Sequence, residues 1–340
     1  MKRPIGLALV VIVAGGASAV GQTPVPATPS STTTQAPPAD QSLPIFRSGV
    51  DLVALTVTVT DSQQNYITGL ARDDFAVFED GVQQDLSFFA ADHVPMDLAL
   101  LIDTSSSMQD KMELVRAAAI GFINTIGSED RAAVIAFNTG MREVQSLTSD
   151  RQSLETAIRN TNAQGGTSLY NAVYVTLKEL VAAQRQTGVV RRQAIVVLSD
   201  GEDTSSLITF DDVMESARRS GVTIYTIAIK SPYLARRVAE SGRRYYSQSD
   251  FSMRTLAQET GARAFFPLKI DELPGIYGEI SNELSRQYAM GYTPKNTRRD
   301  GGIRRLVVRV LSRPDARPRT RSGYLAASVA PAVGVRQRPH

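Results

Sequence analysis

Asp103, Ser105 and Ser107 stand at spacings of two directly after an apolar run, residues 98–102. One carboxylate and two hydroxyls on a short loop offer three oxygens, the donor chemistry of a hard cation. With no His or Cys beside them, Mg²⁺ fits better than zinc, since it seeks six oxygens near octahedral geometry and keeps some of its waters. Three groups are too few, so further ligands must come from elsewhere in the chain. The competing reading is a loop of side-chain oxygens that only caps the following helix. Two later stretches weigh against it. Residues 193–199 form a second apolar run that stops at Asp200-Gly201, and between the two runs Gly165-Gly166 delivers Thr167. In order, the chain offers Asp103, Ser105, Ser107, Thr167 and Asp200.

The elements that must position these residues are legible from periodicity. Residues 98–102 have the length and composition of a strand buried on both faces, as in a parallel sheet. Val115, Ala118, Phe122 and Ile126 recur at helical spacing after the first loop, and Leu169, Val173, Leu177 and Leu180 do so after Thr167. Strands are expected at 132–137, 222–229 and 264–267, an antiparallel edge at 142–147 and a short helix at 154–158. Thr209 and Asp212 form a capping box that opens another helix, closed by Gly221. Met253, Leu256 and Ala257 begin the next, ending at Gly261. Ile276, Ile280, Leu284 and Tyr288 stripe a closing helix with Pro274 in its first turn. Open α/β sheets hold ligands in the crevice beyond the carboxyl ends of their strands, which is where the polar loops fall.

In this arrangement the sequence resembles the von Willebrand factor type A domain with its metal-ion-dependent adhesion site. Asp103, Ser105 and Ser107 match the family's D-x-S-x-S, Thr167 its second-loop Thr and Asp200 its third-loop Asp. The resemblance implies a doubly wound, mostly parallel Rossmann-like sheet. It also implies a Mg²⁺ (or Mn²⁺) ion on that sheet's carboxyl edge, with an open position for an Asp or Glu carboxylate of a protein partner. Thr167 would meet the metal directly when ligand is present, and Asp103 and Asp200 partly through water.

Outside that domain the pattern changes. Lys2 and Arg3, an apolar stretch over 5–13 and Ala17-Ser18-Ala19 read as a cleavable secretory signal, residues 1–19. This predicts an exported chain, periplasmic or secreted, with no membrane span after cleavage; an uncleaved N-terminal anchor is the alternative. Residues 20–46 are a Pro/Thr/Ser linker that cannot bury enough surface to order itself. Residues 47–92 form a β-rich module in which Val53, Leu55, Val57 and Val59 alternate with smaller residues. Glu79-Asp80-Gly81 reads as a hairpin turn with the returning strand over 82–89. The von Willebrand A-like region spans 93–288, period two resumes over 289–326, and 327–340 is a tail. The order of Gly-Leu, Asp-Phe and Val-Phe-Glu-Asp-Gly segments resembles exported bacterial proteins related to the same family. Because β segments flank the α/β region on both sides, they are expected to meet in one small β-sandwich into which it is inserted.

The 37 basic and 34 acidic residues become 35 and 34 once Lys2 and Arg3 are removed, leaving a chain near neutrality. Residues 295–338 nevertheless carry 12 Lys or Arg against Asp300 and Asp315. That basic segment is suited to an anionic envelope polymer or to the acidic remainder of the chain, with solvated strand edges as the plainer alternative. An exported chain makes nucleic acid an improbable partner. Catalysis finds little footing: the chain has 2 His, at 93 and 340, and 0 Cys, so no disulfide and no thiol nucleophile. No G-x-S-x-G turn occurs. The expected function is an exported, non-enzymatic, metal-dependent protein-binding module. A structural envelope scaffold with an unused metal site is the main rival, and a metal-dependent hydrolase the lesser one.

Overall fold

The computed structural model describes residues 52–91, 94–187, 191–200, 202–230 and 247–328. The expected signal (1–19) and linker (20–46), the polar segment 233–246, Gly201 and the tail beyond 328 lie outside the described residues.

Alternation builds the first strand: β1 (Val53–Thr60) buries Val53, Leu55, Val57 and Val59 on one side. β2 (Phe75–Glu79) and β3 (Val82–Gln84) form a hairpin across Asp80 and Gly81, whose φ of 47° and 84° suit a tight two-residue turn. The return over 82–89 is not one strand. It breaks at the exposed Asp85, and β4 (Leu86–Ala90) crosses to the other sheet, as strands do at a sandwich corner. Glu79 also departs from the turn expected for it. It ends β2 at 2 % exposure, accepting hydrogen bonds from the Tyr292 and Tyr324 hydroxyls at 2.7 and 2.9 Å.

β5 (Met96–Asp103) follows, with all eight residues buried. β6 (Arg131–Phe137) and β8 (Arg192–Ser199) pair with it in parallel on either side. β9 (Thr223–Ala228) and β10 (Ala264–Phe265) extend the sheet in parallel, and β7 (Met141–Thr148) closes the other edge antiparallel. The order is β10-β9-β8-β5-β6-β7. The chain therefore reverses its direction of winding between β5 and β8, which opens a crevice at their carboxyl ends.

Both faces are covered, which is why β5 reads as an unbroken apolar run. On one side Leu98, Leu100 and Ile102 pack against α1 (Met112–Ile123), α2 (Arg151–Arg159) and a final helix, α6 (Leu273–Leu284). On the other, Ala99 and Leu101 meet α3 (Leu169–Thr187), α4 (Phe210–Ser220) and α5 (Gln248–Glu259). The Thr209–Asp212 capping box forms as expected, and Gly221 stops α4 at φ 72°. Two helix limits differ from periodicity. Ile126 lies beyond the end of α1, though it still packs on the core. Tyr288 starts β11 (Tyr288–Tyr292) rather than ending α6. Its ring stacks with Phe89 and meets Phe75 at a tilt inside the sandwich, and its hydroxyl accepts from the Leu70 N–H and donates to the Ile67 carbonyl, both at 3.0 Å.

The flanking strands do meet. β11 lies between β1 and β4, with β13 (Arg317–Arg319) beyond β1. β12 (Ile303–Val310) lies between β2 and β14 (Gly323–Leu325). These two four-stranded sheets enclose a shared core of Val57, Val77, Met290, Tyr292 and Leu306, drawn from both ends of the chain.

The sandwich is joined to the α/β layers through Glu283 of α6, which is 1 % exposed. Tyr225 donates to it at 2.6 Å, Arg319 of β13 pairs with it at 2.6 Å, and Thr58 of β1 donates at 3.4 Å. Removing one member of a buried ion pair leaves the other uncompensated. Glu283→Ala is expected to lower the free energy of unfolding by about 3 kcal/mol, measured by urea titration. A loss within the error of the titration would show that the contact does not join the layers.

Candidate functional site

Asp103 is the last residue of β5, and its side chain is fully buried. Three polar groups hold it: the Ser105 N–H donates to Oδ1 at 2.8 Å, the Ser199 hydroxyl donates to Oδ2, and the Ser105 hydroxyl adds a further bond. Burial pushes its carboxyl above the usual range, against those hydrogen bonds, and the nearby Asp200 charge pushes the same way. The bonded partners are neutral, so among the described residues this carboxylate has hydrogen bonds without a countercharge.

The first loop continues the chain of contacts. Ser105 Oγ and Ser107 Oγ are 3.0 Å apart, and Ser107 Oγ donates to Asp200 Oδ1 at 2.7 Å. The helix-cap alternative for this loop is not what forms: Ser105 precedes a short 3-10 turn, Ser106–Lys111, without capping it through its side chain. Four of the five expected residues thus lie in one hydrogen-bonded series from Asp103 to Asp200.

Thr167 arrives on the adjacent loop, tied by the backbone. The Ser106 N–H donates to the Gly165 carbonyl at 3.0 Å and the Gln164 N–H to the Thr104 carbonyl at 2.7 Å. Gly165 has a φ of 75°, and a Cβ there would fall 2.6 Å from the Thr139 hydroxyl oxygen. A Cβ on Gly166 would meet the Ser205 hydroxyl oxygen at 2.6 Å, so Gly165 is required by its backbone and Gly166 leaves room for the Ser205 side chain. The Thr167 N–H donates to Thr204 Oγ1 at 3.0 Å, and its carbonyl accepts from the Thr204 and Ser205 N–H groups at 2.9 and 3.0 Å. Its backbone is fixed from both sides, while its hydroxyl makes no hydrogen bond with the described residues. Asp203 clamps the same loop to the start of α3, accepting from the Tyr170 N–H at 2.8 Å and from Ser206.

Two participants were not anticipated. Ser199 is the polar residue that follows the apolar run 194–198 of β8, and that break in pattern was its only signal. Lys111 lies four residues after Ser107. Its ammonium pairs with Asp200 Oδ2 and donates to the Ser107 carbonyl at 3.2 Å. Among the described residues no group of three or more His, Cys, Asp or Glu side chains comes together. A cation here would be held by two carboxylates and three hydroxyls. An all-oxygen set with a buried, uncompensated carboxylate at its base fits Mg²⁺ or Mn²⁺.

A family model, the von Willebrand factor type A domain, matches residues 97–272, more than half of the chain. The protein belongs to that family, whose members are in general non-catalytic interaction and adhesion modules. An uncharacterised protein of Synechocystis, sll0103, is 31% identical over 120 residues, covering 34% of this chain and 28% of its own. The match therefore spans under a third of that relative. Among solved structures, a von Willebrand factor type A protein from Catenulispora acidiphila is similar at 14% identity and TM-score 0.46, over 83% of this chain and 76% of that one. The vWF domain of the type V pili tip protein Mfa5 from Porphyromonas gingivalis gives 14% and 0.42, over 56% and 94%.

Ser199→Ala removes a buried hydroxyl donor from Asp103 and puts nothing in its place. It is expected to destabilise the fold by about 2 kcal/mol, read from thermal or urea unfolding in chelator. An unchanged midpoint would mean that Asp103 is held without Ser199.

Proposed function

We propose that this protein is an exported, metal-dependent protein-binding module, in which Asp103, Ser105, Ser107, Thr167 and Asp200 hold Mg²⁺ or Mn²⁺ for capture of a partner's Asp or Glu carboxylate. The observation that carries the reading is the hydrogen-bonded series Asp103–Ser105–Ser107–Asp200 at the carboxyl end of β5, beside Thr167 with its free hydroxyl. When bound, the ion supplies a positive centre with room for an outside oxygen ligand. The protein's own part is to fix donors in advance. Ser105 and Ser107 are set by the first loop, Thr167 by Thr204 and the two glycines, and Asp103 by Ser199. Hydroxyls outnumber carboxylates in this set, so the protein neutralises less of the ion's charge than an all-carboxylate cage would, and an external carboxylate gains by completing it. Family membership supports the binding role. Export rests on the amino-terminal sequence; among the described residues no helix is long and apolar enough to cross a membrane.

One contact favours the rival reading, a scaffold with an unused site: Lys111 already neutralises Asp200. Titration calorimetry with MgCl₂ separates the two. The wild type is expected to take up one ion, and Asp103→Ala none, with unfolding that stays cooperative. Lys111→Met, which removes a competing cation, is expected to tighten Mg²⁺ binding about fivefold, since one lost ion pair of this kind is worth about 1 kcal/mol. Absence of Mg²⁺ uptake by both the wild type and Lys111→Met would overturn the metal assignment in favour of the scaffold.

Thr167→Ala isolates the ligand-facing donor. It is expected to weaken Mg²⁺ less than Asp103→Ala does, because water replaces a neutral hydroxyl more readily than a carboxylate. Equal loss in the two variants would show that Thr167 is needed to build the site rather than to complete it.

A further inference from the structure

At the opposite end of the parallel sheet lies a second feature that the metal-dependent reading does not use. A cleft of about 1110 Å³ opens between the sandwich and the α/β layers. Arg192, the first residue of β8, lines it, whereas Asp103 and Ser199 end their strands. An eight-residue strand separates the two places by roughly 20 Å. Seven arginines line this cleft, and no aspartate or glutamate does so among its described lining residues.

Their partners decide which of these charges are available. Arg191 is committed to Asp97 at 2.6 Å, and Arg192 turns inward to the carbonyls of Val94 and Leu284. Arg219 pairs with Glu215 at 2.8 Å in an exposed contact of the kind worth little. Arg299 has an interaction of its own, and the remaining three have no carboxylate among the described residues. Arg185, near the end of α3, and Arg298, between β11 and β12, are exposed and make no side-chain hydrogen bond or ion pair there. Arg321, between β13 and β14, donates to the Ala54 carbonyl at 2.8 Å and lies over the Tyr324 ring, while its Nε is buried and unpartnered. Burial pushes the Arg321 guanidinium down to about 10.

Arginine forks match the oxygens of phosphate in pairs, and a tetrahedral phosphate offers three acceptor oxygens. Thr293 and Thr297 add hydroxyls to the same walls. Aromatic rings are few, Phe88 and Tyr324, so the cleft lacks the stacking platforms by which single-stranded nucleic acids are held. Guanidiniums on three separate segments, none paired with a carboxylate among the described residues, favour a ligand with several charges over a single anion. We propose that the cleft binds a compact ligand carrying two or more phosphate groups, through Arg185, Arg298 and Arg321.

The test is titration of the whole protein with inorganic tripolyphosphate in EDTA at low ionic strength, so that neither site metal nor chelation of metal by the probe contributes. One-to-one binding is expected, weakened about a hundredfold by Arg185→Gln with Arg298→Gln, roughly tenfold for each guanidinium. Both residues are exposed, so the variant is expected to fold, and an unchanged urea midpoint checks this. Neutralising Arg305 and Arg309, which are exposed on β12 outside this cleft, to Gln is the control for overall charge and should leave the affinity within about twofold. No binding of tripolyphosphate, or an equal loss in the control, would overturn the proposal. Citrate binding as tightly as tripolyphosphate would overturn the phosphate assignment. None of these outcomes depends on Asp103 or Mg²⁺, so the metal reading can fail without touching this one.

Discussion

A carboxylate shut away from water governs the architecture of the binding face. Asp103 sits at the end of a strand with no exposed residue, and an ionised group there is tolerated only if fixed donors replace its hydration. Ser105 and Ser199 supply those donors from two neighbouring strand ends, which requires β5 and β8 to finish side by side. That adjacency exists because the winding of the sheet reverses between them. The crevice, the serine loop and the position of Asp200 all follow from this single placement. The glycine turn before Thr167 is then needed to let a second loop close over the same spot.

A second polar node keeps the sandwich in register with the α/β layers. Glu283, Arg319, Tyr225, Gln287 and Thr58 form a buried cluster where α6 meets β1 and β13. Apolar packing alone would let these layers slide. A carboxylate that must meet a particular guanidinium and a particular phenol fixes one arrangement. Glu79 plays the corresponding part inside the sandwich, where Tyr292 and Tyr324 bring strands from both sheets to one carboxylate. Burial, and after it the hydrogen bonds to Glu79, raise both phenols well above their ordinary range.

The α/β core was readable because it consists of local signals: continuous apolar runs for doubly covered strands, helical stripes, a Thr209–Asp212 box and a closing Gly221. The donors of the candidate site were readable because Asp103 and Asp200 each close an apolar run, the two serines follow Asp103 at spacings of two, and Gly165-Gly166 marks the turn that leads to Thr167. What escaped was set by contacts distant in sequence. Tyr288 continues the helical stripe of α6 in spacing, yet its place is fixed by Phe75, Phe89 and the backbone at 67–70. Glu79 carries a turn-like neighbourhood, but Tyr292 and Tyr324, more than two hundred residues away, draw it inside. The split at Asp85 depends on β11 offering an edge to β4. The excess of basic residues near the carboxyl end was visible. Its division was not: Arg319 and Lys295 are matched to Glu283 and Asp85 from elsewhere, whereas Arg298 has no acid among the described residues.

The two strands that lead into and out of the α/β layers lie beside each other. Ala90 and Ala289 are cross-strand partners in the antiparallel pair of β4 and β11, so the chain leaves the sandwich and returns to it through neighbouring positions. The whole intervening stretch hangs from that doorway. A mechanical pull between the first and last described strands would pass through sandwich strands alone. The crevice at Asp103 would stay off the line of tension, and a tether strained at its ends would keep the same binding geometry as one at rest.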